Sequence, residues 1–110
     1  MKFQVRLTAK AEEDVEIILA WYAEQQSPAA AERWFAQLLA AIDTLEQHPH
    51  RCELSAEGKD LGLEIRQRLI GKRQVKYRLL FMIEDRVINI LRVWHGARDA
   101  MQPTDIEPPG

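Results

Sequence analysis

The chain has 110 residues, 46% of them hydrophobic and 29% charged, with a formal net charge of −2; this fits one ordinary soluble domain with a modest core and leaves no room for a second. No apolar run reaches the roughly 18 residues of a membrane span, and the N-terminal stretch lacks the apolar centre of a secretion signal. The single cysteine, Cys52, cannot make an internal disulfide and lacks the neighbours of a metal site, so a cytoplasmic protein in a reducing compartment is expected.

Phe3, Val5 and Leu7 alternate with Gln4 and Arg6, which predicts a short strand over residues 2–7 with one buried face. Thr8 can cap a helix beginning at about Ala9, with Glu12, Glu13 and Asp14 where the positive end of the helix dipole favours carboxylates. Ala11, Val15, Ile18, Leu19 and Tyr22 make one helical face, widened by Ile17 and Trp21. Ser27-Pro28 then breaks the chain and restarts it, serine as the cap and proline at the first helical position. Ala31, Phe35, Leu38, Ile42 and Leu45 form the stripe of a second helix that runs to Pro49, with Trp34 and Leu39 off the stripe as helix-to-helix contacts. With almost no linker between them, the two helices must fold back on each other.

From His48 to Gly62 the periodicity disappears, and a loop with one short helical turn around Ala56 to Asp60 is expected. His48 and His50 stand two apart, a spacing open to metal, but with no third ligand nearby they read as solvated loop histidines. Ile65 to Ile70 alternates again, with Arg66 and Arg68 on one face, and Gly71-Lys72-Arg73-Gln74 turns into a long hairpin. In that hairpin Val75, Tyr77, Leu79, Phe81 and Ile83 alternate, Glu84-Asp85-Arg86 is the connection, and Val87 to Trp94 is nearly continuous apolar sequence. The order is βααβββ: an α+β domain over residues 1–99, an antiparallel-rich sheet of about four strands with the helical hairpin packed on one face. The first strand can lie at the sheet edge or run parallel to a central strand. Residues 100–110, with Pro103, Pro108 and Pro109, read as a loose tail.

Charge is unevenly spread. The first 60 residues are rich in Asp and Glu, whereas residues 66–98 set only Glu84 and Asp85 against a run of arginines and lysines. A basic stripe on strands is either a solvated face or a surface for a polyanion or an acidic partner. The length of the hairpin loop decides which face Arg78 takes. A three-residue loop puts it on the side of Arg92, and a two- or four-residue loop puts it opposite Val93. Arg78 is therefore a site residue, an ion-pair partner of Glu64 or Asp99, or a solvated side chain.

An N-terminal strand followed by A-x-x-D, a helix ending W-Y-A-E-Q-Q-S-P, a second closing L-E-Q-H-P, then E-I-R-Q-R-L, K-Y-R-L-L-F and V-x-I-L-R-V-W-H-G-A-R-D resemble, in that order and over Lys2 to about Asp99, the RelE/ParE superfamily of bacterial toxins. The resemblance implies the toxin of a type II toxin–antitoxin (plasmid stabilisation) system, neutralised by a cognate antitoxin, with no cofactor and no metal. One branch implies ribosome-dependent ribonucleases that cut messenger RNA, the other, ParE-like, inhibitors of DNA gyrase. The ribonuclease branch places basic residues at Arg66, Arg68, Arg78 and Arg98, and His95, at the end of the last strand, is either a group that moves protons near neutral pH or one that only packs or hydrogen-bonds. That branch also implies a tyrosine after the last arginine, where Met101, Gln102, Pro103 and Thr104 offer none. The helical hairpin is long, as in the ParE-like branch, and that reading is favoured. A third reading is a non-toxic module that only binds antitoxin. An acidic antitoxin segment is expected on a basic sheet face made by Arg66, Arg68, Lys72, Arg73, Lys76, Arg78 and Arg98, in a homodimer or a 2:2 complex.

Overall fold

The computed structural model describes residues 2–72, 75–96 and 102–107. Strand β1 (Gln4–Leu7) leads into helices α1 (Ala9–Gln25) and α2 (Pro28–Gln47), then the short α3 (Ala56–Leu61) and the strands β2 (Arg66–Lys72), β3 (Val75–Glu84) and β4 (Val87–His95). The sheet order is β1-β4-β3-β2, with β1 parallel to β4 and the other pairs antiparallel. Both expectations for the first strand are met, since it lies at the edge and runs parallel to a central strand. The helix starts are those that the sequence predicts. The Thr8 hydroxyl accepts from the Ala11 N–H, and the Ser27 hydroxyl accepts from the Ala30 N–H with Pro28 next in line.

The helical hairpin covers one face of the sheet. Val15, Tyr22, Trp34, Leu38 and Leu45 pack there on Ile70, Tyr77, Leu79, Phe81, Ile88, Ile90 and Val93. On α2 the buried positions are Ala30, Trp34, Leu38, Ala41 and Leu45, so the expected stripe is turned by about one residue and Phe35 and Leu39 are exposed. Trp34 lies between α1 and the strands, with its ring 6.3 Å from that of Tyr22 and 5.3 Å from that of Tyr77.

A smaller core lies on the opposite face, where Ile65, Leu80, Leu91 and Ile106 are buried and Leu61, Leu63, Met82 and Trp94 pack around them. The C-terminal segment departs from expectation here. In place of a loose tail, Pro103–Asp105 form a 3-10 turn and Ile106 is only 5% exposed. An isolated aliphatic residue among prolines reads as a tail until the apolar face waiting for it is known.

A bulge in β4 decides which of the later β4 residues join that face. The hairpin closes through the two residues Asp85 and Arg86, with Glu84 opposite Val87 and Asp85 at φ 54. From Phe81↔Ile90 the register jumps to Leu80↔Arg92, so Leu91 is extra. The jump brings Arg92 and Trp94 to the side that Leu80 and Leu91 share and places Arg78 opposite Trp94. A two-residue loop alone would have put Arg78 opposite Val93; the bulge brings Arg92 to the side of Arg78.

Candidate functional site

The side chains on which the sequence focuses do not converge. Arg66 and Arg68 share a face with Ile70, the helix side, because they pair with Phe81 and Leu79. Arg78 pairs with Leu69 and Trp94 and points to the other side, with Lys76 two residues away. The expected single basic face is therefore divided between the two sides of the sheet. The side chain of Lys72, and Arg73 and Arg98 altogether, lie outside the described residues. His95 pairs with Tyr77 and packs edge-on against its ring at 4.8 Å, on the helix side. Arg78 and His95 thus stand on opposite faces.

Each described arginine of this group has a local partner. Arg66 Nη1 donates to the Cys52 carbonyl at 2.7 Å and holds the 48–52 loop against β2. That loop continues into an edge pairing, Leu54 with Arg66, which with the Gln67 N–H donating to the Glu53 carbonyl covers the start of β2's outer edge. Arg68 Nη1 donates to the Leu69 carbonyl at 2.9 Å. Cys52 is half-buried, and burial pushes its thiol pKa up, the opposite of what a nucleophilic cysteine needs.

Arg78 is the central side chain of an open cavity of about 560 Å³ lined by Ala56, Glu57, Gln67, Leu69, Lys76 and Gly96. Its two terminal nitrogens donate to the two Glu57 carboxylate oxygens at 2.9 and 2.7 Å, and Nε and Nη2 donate to Gln67 Oε1 at 3.0 and 2.6 Å. The ion-pair partner is Glu57, on α3, where the sequence reading considered Glu64 or Asp99. The Arg78 hydrogen bonds hold the Glu57 carboxyl below its ordinary range, and Glu57 raises Arg78 in turn. The floor of the cavity is thus neutralised from within, and Lys76 on its rim is exposed.

A second fork, which the sequence reading missed, ties the fold together. Arg92 Nε and Nη2 donate to Asp14 at 2.7 and 2.8 Å, Nη1 donates to the Asp105 carbonyl at 2.6 Å, and the guanidinium lies 4.9 Å from the Trp94 ring centre. Asp14 also accepts from the Val93 N–H at 2.9 Å. β1 ends at Leu7, opposite Ile90, so the rest of β4 has an open edge. Thr8 closes its start, donating from its hydroxyl to the Leu91 carbonyl, and Asp14 closes the next position. The signal in the sequence was the A-x-x-D at the start of α1, a carboxylate at a position otherwise belonging to the buried face.

Among the described residues no cluster of His, Cys, Asp and Glu could hold a metal ion, and no helix is long and apolar enough to cross a membrane. Comparison with known proteins gives one family over nearly the whole chain: residues 5–100 match the model of the ParE toxin of the type II toxin–antitoxin system parDE. The chain is similar to Toxin RelE1 of Caulobacter vibrioides, 29% identical over 96 residues that make up 87% of this chain and 96% of the relative. Among solved structures it resembles the chromosomal ParDE toxin–antitoxin system from P. aeruginosa, with a TM-score of 0.68 at 18% identity over 86% of this chain and 96% of the other. That likeness supports the α+β fold and the βααβββ order.

Proposed function

This chain belongs to the ParE toxin family of type II toxin–antitoxin systems, and from that premise we propose that it arrests growth by binding DNA gyrase and leaves messenger RNA uncut. Membership implies a cognate antitoxin as partner. The observation that carries the choice of target is the pairing of Arg78. A ribonuclease of this kind needs a cation free to meet the charge that develops on the scissile phosphate, and a proton-moving group beside it. Arg78 is already held by Glu57 and Gln67, and His95 points away from it on the other face of the sheet. Binding a protein target demands no such arrangement.

The test is to express the chain from an inducible promoter, follow growth, map transcript ends and monitor plasmid supercoiling. Arrest with intact transcripts and altered supercoiling is the expected result. Cleaved transcripts, lost in an Arg78→Ala variant that still folds, would instead make the Arg78 cavity a ribonuclease site. The similarity to a toxin named RelE1 keeps that reading in view. A folded chain that leaves growth unchanged would reduce the function to antitoxin binding. We also place an acidic antitoxin segment over Lys76 and the neighbouring end of β2, and antitoxin affinity that does not fall with added salt would contradict it.

A further inference from the structure

Much of the apolar surface that the fold leaves in water lies on the helical hairpin. Among the described residues the large exposed hydrophobic side chains are Ile17 and Trp21 on α1, Phe35 and Leu39 on α2, and Leu54 and Leu69 elsewhere. Between the two helices runs a groove of about 440 Å³, walled by Leu19, Ala20 and Ala23 on α1 and by Pro28, Ala31, Glu32 and Phe35 on α2, with no strand residue in its lining. Glu16 precedes Ala20 by four residues and Leu39 follows Phe35 by four, so in this antiparallel pair each carries its wall one turn further in the same direction. Alanine at three of the wall positions lets a third helix lie close to both.

We propose that this groove docks the protein target, through an amphipathic helix whose apolar side fills the groove and whose flanks carry lysine or arginine; the inference rests on the protein-target reading given above. Charge selects that occupant. α1 exposes Glu12, Glu13, Glu16 and Glu24, and α2 exposes Glu32 and Asp43, against Lys10 and Arg33. Lys10 is already paired with Glu13 at 3.9 Å, and Arg33, two residues before Phe35, lies off the groove side of α2. The groove itself has Glu32 in its lining, with Glu16 and then Glu12 along the α1 wall, and no cation lines it among the described residues. Two copies laid groove to groove would bring carboxylates against carboxylates, which disfavours a second copy here. An acidic antitoxin segment is repelled for the same reason and fits the basic residues around Lys76. The toxin has one partner that neutralises it and one on which it acts, and the fold offers surfaces of opposite sign for the two.

Interferometry with the purified chain immobilised and purified DNA gyrase in solution, without DNA, tests the proposal. Wild type is expected to bind, and less tightly as salt is added. Ala20→Lys, which fills the groove and adds a cation, abolishes binding; Glu16→Lys weakens it by roughly tenfold, and Glu16→Gln falls between that variant and wild type. Growth arrest on expression follows the same order. Both positions are exposed, so the urea midpoints and the antitoxin affinities of the variants stay at the wild-type values and show that they are folded. If wild type binds gyrase and Ala20→Lys and Glu16→Lys bind it equally well, the groove is not the docking site, although the gyrase reading stands. Binding that is lost in Ala20→Lys but unchanged in Glu16→Lys and insensitive to salt would overturn the basic partner. A wild-type chain that does not bind gyrase would overturn the gyrase reading and this inference together.

Discussion

The two arginine forks, Arg92 with Asp14 and Arg78 with Glu57, use the same chemistry in different surroundings. The first is nearly dry, with side chains 11% and 8% exposed, and joins α1, β4 and the C-terminal turn. The second is wetter, at 21% and 16%, and lies in the floor of an open cavity. In the dry fork Asp14 also completes the backbone hydrogen bonding of an unpaired strand edge, so losing it strands both a buried cation and an N–H. The wetter fork connects only α3 to the sheet and can be opened without exposing core. The dry fork is architecture, whereas the wetter one ties a single short helix to the sheet.

The largest expected effect comes from breaking the dry fork. Asp14→Ala leaves Arg92 uncompensated and the Val93 N–H unpaired, and should cost about 3–5 kcal/mol in urea denaturation. A loss below about 1 kcal/mol would show that Arg92 escapes to solvent. Next comes Ile106→Ala, which opens the small core and should cost about 2 kcal/mol. A truly loose tail would register no change in the urea midpoint. Glu57→Gln is smaller, about 1 kcal/mol at neutral pH, because it removes one charge-assisted pair in the floor of an open cavity.

The Glu57 variant also has a pH signature. Because the folded-state pKa of Glu57 lies below its ordinary value, its contribution is complete above the unfolded carboxyl pKa of about 4.3 and is lost as pH falls through the lowered one. The stability gap between wild type and Glu57→Gln should close over that acid range, measured as urea midpoints at successive pH values. A gap that stays constant into strong acid would mean that the pair contributes nothing through charge. Smallest of all, Trp21→Ala should leave the stability of the isolated chain within about 0.5 kcal/mol, because an exposed side chain away from any fork has little to lose.

Much of the fold was legible because local chemistry announces it. Thr8 and Ser27-Pro28 are the expected helix starts, Ser55 caps α3 where a helical turn was expected, and the β3–β4 alternation identifies the hairpin. The candidate site was legible in its members and not in its arrangement. Arg66, Arg68, Arg78 and His95 are named by pattern, yet two faces of a sheet differ by one residue of register, and a register is not a local property. Glu57 was hidden for a related reason: it stands in the stretch where periodicity fails, and its tie to Arg78 links residues 21 apart in sequence.

The sequence by itself determined the order of elements, their starts and the basic character of the second half, since caps, alternation and charge act over a few residues. Tertiary structure alone decided three things. The extra residue Leu91 brought Arg92 to the side of Arg78, α2 packs with Trp34 rather than Phe35 in the core, and the apolar face of Leu80 and Leu91 drew Ile106 out of a proline-rich tail. In each case the deciding quantity is apolar surface removed from water between segments distant in sequence, and no window along the chain contains both sides of that contact.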